Sequence, residues 1–233
     1  MTPDAPVGAR RALFDHIAPF VAWLLLMEVL PRTAWAYALR AALCLGLLLW
    51  CRPWRHYPRP NARHLPLALA VGAAVCLVWI LPELPIWQNW PAFEAFYRQY
   101  GILPPWSAAA PLGESPYAPA AAGWLLALAR LLGSALVIAV IEEFFWRGFL
   151  YRWLVEREFL SVDPARYLPW AFWLTVLLFG LEHDRWLVGM AAGAAYGWLY
   201  LRTRDLWAPI CAHVVTNLLL GLYVLSAGAW DFW

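Results

Sequence analysis

Leu131-Leu-Gly-Ser-Ala-Leu-Val-Ile-Ala-Val-Ile141 runs without a break into Glu142-Glu143-Phe-Phe-Trp-Arg147-Gly-Phe-Leu150. An apolar run of this kind reads as part of a membrane-spanning helix. Two carboxylates and an arginine at its end would be costly in lipid, so they should face an interior cavity with partners; ionisable groups at membrane depth mark a functional site. Helix geometry separates the two acids. Residues four apart share a face, so Glu143 and Arg147 form an i,i+4 pair, whereas Glu142 points roughly 100° away from Glu143. One carboxylate is neutralised by the arginine and the other is left for chemistry. The reactive group expected from this reasoning is Glu142.

Composition carries the membrane reading to the whole chain. Of 233 residues, 64% are hydrophobic, only 14% are charged and 18 are tryptophan, a balance no ordinary soluble domain of this size tolerates. The formal net charge is +2 and every basic residue is an arginine. No basic patch or groove-reading tail is present, which excludes nucleic acid as a partner. Cys44, Cys51, Cys76 and Cys211 are scattered without C-x-x-C spacing, so neither a disulfide framework nor a thiolate zinc site is supported. The start, Met1 to Arg11, precedes an apolar stretch that continues to Leu30 with no small-residue cleavage site, and reads as a retained first span.

A span needs roughly 20 mainly apolar residues. That criterion places helices at about 12–30, 34–51, 65–81, 120–152 (long or broken), 166–183, 186–201 and 206–226. The fold class is therefore all-α, a polytopic transmembrane bundle of about seven or eight helices. It is organised as N-terminal spans with a tryptophan-rich external segment (1–119) and a catalytic core (120–233) in one integral membrane unit. Arginine placement sets orientation, because cytoplasmic loops are enriched in basic residues. Arg10 and Arg11, then Arg52, Arg55, Arg59 and Arg63, then Arg152, Arg157 and Arg166, then Arg202 and Arg204 agree on a cytoplasmic N-terminus. Residues 82–119, with Glu83, Glu94 and Glu114 against a single Arg98, then fall outside. Their aromatic and proline content, including Leu103-Pro-Pro-Trp106, suits either an interfacial belt of amphipathic turns or a docking surface over the site.

Three of the five histidines, His16, His56 and His64, lie near helix ends or in the arginine-rich loop and are expected at the interface. The other two close patterned stretches: Phe179-Gly-Leu-Glu-His183, and His213-Val-Val-Thr-Asn217. Each has i,i+4 spacing and presents two side chains on one face. Unpaired buried polar groups cost roughly 1–3 kcal/mol each, so a glutamate pair with its arginine and two such stretches on later spans are hard to dismiss as packing. These groups suit water activation: a carboxylate as general base, imidazoles that bind a metal or orient the water, and an asparagine amide for an oxyanion. Ser134 and Cys211 are near in sequence, but neither stands as an obvious nucleophile.

The order Glu142-Glu143-x-x-x-Arg147, Phe179-x-x-x-His183, His213-x-x-x-Asn217 resembles the CAAX prenyl protease and bacteriocin-processing family of intramembrane endopeptidases, also called the ABI family. Arg147-Gly-Phe-Leu150, Gly193-Ala-Ala-Tyr-Gly197 and the string 199–213 have the family's texture, so the likeness covers about 131–220. The resemblance implies a protease in which Glu142 activates water, His183 and His213 bind the water or a divalent metal, and Asn217 helps hold the oxyanion. If a metal is used it implies zinc on His183, His213 and Glu142, two histidines and a carboxylate with one open position; a metal-free mechanism stays open. No H-E-x-x-H helix is present. The first 120 residues are similar to a bacterial subgroup associated with exosortase sorting systems. That likeness implies a bacterial inner membrane, membrane lipids as surroundings, and a membrane-anchored or C-terminal sorting or prenylated-type peptide as substrate, the sorting peptide ahead of the prenylated one. Two other readings stay open on the same fold: a non-catalytic bacteriocin-immunity or binding protein, and a proton-coupled transporter using the carboxylates as a relay.

Overall fold

The computed structural model describes residues 7–102 and 115–233. Leu103-Pro-Pro-Trp106 and Glu114, part of the expected external segment, lie outside the described residues. Among those described, eight helices have ten residues or more: α1 (Val7–Val29), α2 (Ala34–Cys51), α3 (Leu65–Ile80), α4 (Pro91–Tyr100), α5 (Trp124–Val155), α6 (Pro169–Leu181), α7 (Trp186–Thr203) and α8 (Trp207–Ala227). The protein is an all-helical membrane bundle.

The helix boundaries follow local chemistry. Proline sits in the first turn of α3, α4 and α6, where its missing N–H costs nothing and its fixed φ suits the helix. Asp205 accepts from the backbone N–H of Trp207 at 3.0 Å and so caps the start of α8; it also takes the N–H of Asn61 at 3.0 Å, tying the α2–α3 loop to the same end. The end of α8 falls at Gly228, whose φ of 67° is the left-handed conformation a glycine adopts freely.

Five segments, beginning with Gly8–Val29 and ending with Trp207–Ala227, are long and apolar enough to cross a membrane. The fifth and sixth expected spans are helices of a different kind. α6 has only 13 residues, because the chain from Asp163 to Leu168 is extended and turned and the helix starts at Pro169. α7 has full length but is diluted by Gly189, Gly193, Tyr196 and Tyr200, which are buried against protein. α6 and α7 cross so closely that a Cβ on Gly189 would lie 3.1 Å from the Cα of Gly180.

Around this pair, α3 packs along α8 and also meets α7, α8 lies against α5, and α1 and α2 brace α5 from the other side. α5 is not a uniform helix. It contains two wide π turns, Gly133–Ile138 and Phe144–Leu150, with Glu142 and Glu143 in the α-helical turn between them. Such turns free carbonyls from the regular ladder and recur at functional sites. Asn217 Nδ2 donates to the Ser134 carbonyl at 3.0 Å and the Tyr57 hydroxyl to the Gly148 carbonyl at 3.0 Å, one in each wide turn.

One expectation changes here. His16 is not interfacial: it is 1% exposed, with Nδ1 on the Ala12 carbonyl at 2.7 Å and Nε2 against the Tyr57 hydroxyl at 2.9 Å. Its place on α1, one turn after Ala12, puts it under the second wide turn of α5. The four cysteines are free, in keeping with their scatter.

Candidate active site

Glu143 and Arg147, one turn apart, meet at 2.9 Å between Oε1 and Nη1, with exposures of 0% and 2%. Arg147 is held from three more sides. Its Nη2 donates to the Gly193 carbonyl on α7 at 2.8 Å, and its guanidinium lies 4.5 Å from the ring centre of Phe179 and 5.5 Å from that of Tyr196. A buried guanidinium with a carboxylate, a carbonyl and two aromatic faces is the compensated arrangement a charge in an apolar interior requires.

Glu143 does more than neutralise Arg147. The same Oε1 lies 3.0 Å from His213 Nδ1, so the carboxylate accepts from the imidazole N–H. That fixes the tautomer: the proton sits on Nδ1, and Nε2 carries a lone pair. His183 is set the same way, because its Nδ1 lies 2.8 Å from the Phe179 carbonyl, which can only accept. Both Nε2 atoms turn toward Glu142, at 3.8 Å from His213 and 4.0 Å from His183, each measured to Oε2. Glu142 Oε2 is buried without a hydrogen-bond partner. Three lone-pair atoms from α5, the α6–α7 turn and α8 thus surround a gap too wide for a direct hydrogen bond and right for a water to bridge.

The gap opens into a cavity of about 220 Å³ whose walls include Ser134, Trp79, Tyr196 and Asn217 as well as Glu142, His183 and His213. Asn217 uses one N–H on the Ser134 carbonyl and keeps the second. Ser134 Oγ donates to Leu131 and Cys211 is half-buried, so neither is poised as a nucleophile. Among the described residues no group of three or more His, Cys, Asp or Glu lies close enough to hold a metal ion. The donor types of His183, His213 and Glu142 suit zinc, but a tetrahedral ion with bonds of about 2.0–2.1 Å needs donors roughly 3.3 Å apart, closer than these stand.

The structure therefore gathers Glu142, His183, His213 and Asn217 around one cavity, with Glu143 and Arg147 behind His213. α6 runs only from Pro169 to Leu181, so His183 follows a short element and faces Glu142.

Several functional neighbours escaped sequence reasoning. Tyr196 stacks on His213 with ring centres 4.8 Å apart, and its hydroxyl donates to Thr216 at 2.7 Å. Trp146 Nε1 donates to Glu182 at 3.1 Å, bringing a third carboxylate beside the pair. In the α6–α7 turn, outside the spanning segments, enclosure by the protein raises the Glu182 carboxyl to about 8 and lowers His183 to about 4. Gly193 and Tyr196 were visible only as sequence texture, and nothing in their spacing announced which group each would meet.

A helical membrane bundle with a buried glutamate and two imidazoles aimed at its free oxygen defines the class: an integral membrane protein with a buried polar centre. Residues 123–219, which contain all six gathered residues, match the family model for type II CAAX prenyl endopeptidase Rce1-like proteins. Through this segment, somewhat under half of its length, the chain is similar to the CAAX protease family. Comparisons with curated proteins and with solved structures gave no match.

Proposed function

We propose that the protein is an intramembrane endopeptidase in which Glu142 activates a water held between His183 and His213. The observation that carries this reading is the single oxygen, Glu142 Oε2, buried without a hydrogen-bond partner and 3.8 and 4.0 Å from two imidazole lone pairs. The water donates its hydrogens into this wedge and turns a lone pair toward the substrate carbonyl in the cavity. Glu142 takes a proton as the oxygen attacks, and returns it to the leaving amine as the tetrahedral intermediate collapses. The second N–H of Asn217 is the donor for the oxyanion. Glu143 and Arg147 touch no reacting atom. They hold His213 in its tautomer and orientation, as a carboxylate does for a histidine in a hydrolase triad.

The separations among the three acceptors favour water over a zinc ion, and no step here runs through a metal. The substrate is a membrane-anchored or C-terminal sorting peptide, a reading supported by the membrane-embedded cavity. An exosortase system as partner rests on the weaker likeness of the first 120 residues. The arginine pattern supports an N-terminus in the cytoplasm, and a bacterial inner membrane rests on the likeness of the first 120 residues.

The test is a single comparison. Detergent-purified protein should cleave hydrophobic reporter peptides, and the Glu142→Gln variant, equally folded, should not; equal turnover would remove Glu142 from the chemistry.

A further inference from the structure

The cavity has a second polar end. Arg130, Ser134, Ile138 and Glu142 follow one another at four-residue intervals along α5, and all four line it, as residues on one helical face do. Arg130 places its guanidinium 4.2 Å from the ring centre of Tyr37, 4.9 Å from that of Tyr117 and 5.9 Å from that of Trp233. Its Nε is buried without a hydrogen-bond partner, and among the described residues no carboxylate pairs with it. The cavity's other arginine is already occupied. Arg185 grips the Glu83 carboxylate with Nε and Nη2 and donates Nη1 to the Asp231 carbonyl at 2.9 Å.

The surroundings deepen the imbalance. Arg40 lies 4.1 Å from the Trp23 ring and 5.2 Å from that same Tyr37, so one tyrosine serves two guanidinium groups and no anion. Aromatic faces offset only part of a cation's charge, and a guanidinium inside a membrane protein normally has an anionic or carbonyl partner. Among the described residues no anion meets Arg130, which leaves the guanidinium open to an anion entering the cavity that also holds Glu142.

We propose that Arg130 anchors a carboxylate of the peptide substrate about five residues from the bond that Glu142 attacks; this rests on the endopeptidase reading. The spacing follows from geometry. Twelve helical residues separate Arg130 from Glu142, at most about 18 Å at a rise of 1.5 Å each, and an extended peptide covers that in about five residues at 3.3–3.6 Å each. A carboxylate is the planar partner that a guanidinium engages with two parallel hydrogen bonds. It can come from an aspartate or glutamate side chain or from a free C-terminus. The intervening residues pass between Trp79, Ile138 and Leu220 and are therefore apolar.

The test uses the full chain in detergent. Fluorescent apolar decapeptides are made in matched pairs: C-terminally amidated with Glu or Gln at one position, and Gln-containing with a free or amidated C-terminus. Binding is measured by anisotropy on the Glu142→Gln protein, which removes turnover, with and without Arg130→Gln. Acid peptides should bind about tenfold tighter than their neutral partners, and Arg130→Gln should bring that ratio to about one, while Arg130→Lys keeps part of it. The pair that shows the effect identifies the source of the carboxylate. On the unaltered protein, mass-spectrometric mapping should place the cut about five residues from the acid. No acid preference, a preference untouched by Arg130→Gln, or equal weakening toward acid and neutral peptides overturns the anchor, even where cleavage persists. A loss confined to phosphatidylglycerol nanodiscs marks a lipid headgroup site and also overturns it. An Arg130-dependent acid preference without any cleavage supports the anchor and sinks the endopeptidase reading instead.

Discussion

Two buried carboxylates, Asp15 and Glu142, are placed among basic side chains in very different ways. Asp15, 0% exposed, has Arg11 Nε at 2.8 Å from one oxygen, and Arg55 Nη2 at 2.7 Å and His56 Nε2 at 3.3 Å from the other. Its charge is met at contact distance, and the cluster pins α1 to the loop after α2. Glu142, 4% exposed, has no basic atom closer to Oε2 than 3.8 Å, although two imidazoles face it. The first arrangement is closed and holds helices together; the second is open by about one water molecule. Proximity of opposite charges thus does not by itself mark a site. The gap left between them does.

Breaking the open cluster should have the largest effect. Glu142→Gln is expected to lower turnover on a hydrophobic reporter peptide by about 10⁴-fold, roughly 5.5 kcal/mol of transition-state stabilisation. Its unfolding midpoint, followed by circular dichroism, should stay near that of the parent; a collapse of the midpoint would make Glu142 structural after all. Arg147→Ala acts on the support of the same cluster. It strands Glu143 as an unpaired buried charge, so about 3–5 kcal/mol of stability should be lost, visible as a low yield and a lowered midpoint. A variant as stable as the parent would show that His213 holds Glu143 without the arginine.

Asn217→Ala should reduce kcat by about 10²-fold with little change in stability, since one of its N–H groups serves the oxyanion; a change in KM alone would move it to substrate binding. Asp15→Asn tests the closed cluster. Its partners Arg11 and Arg55 are 39% and 46% exposed and screened by solvent, so the loss should be only about 1 kcal/mol, with turnover retained. Impaired turnover without loss of stability would erase the contrast between the clusters. The smallest effect expected is from chelation: dialysis against EDTA should leave turnover within about twofold of the untreated protein. Loss on chelation and recovery with zinc would mean that His183, His213 and Glu142 close on an ion.

The sequence discloses the parts of this site that depend on local periodicity. The i,i+4 rule pairs Glu143 with Arg147, and apolar length places the spanning helices, because both are properties of single helices. What it hides depends on how helices meet. That Glu143 also holds His213, seventy positions away, is a consequence of α8 lying against α5. The wide turns at Gly133–Ile138 and Phe144–Leu150 alter which carbonyls are available, and apolar patterning is indifferent to them. The two histidine clusters look alike in composition, yet His16 is sealed under Tyr57 while His183 faces the cavity. Only the packing of other elements around each distinguishes them.

Gly72 on α3 has a consequence for how far residues 123–219 can be treated as a module. A Cβ there would lie 2.4 Å from the Ala212 carbonyl, so only glycine lets α3 come this close to α8. At that approach the Gly72 carbonyl accepts from Thr216 at 2.9 Å, Thr216 meets the Tyr196 hydroxyl, and Tyr196 stacks on His213. The aim of a reactive imidazole is thus trimmed by a backbone atom outside residues 123–219. A chimera that grafts that stretch onto foreign N-terminal helices inherits every reactive group and loses their alignment unless it also imports this crossing.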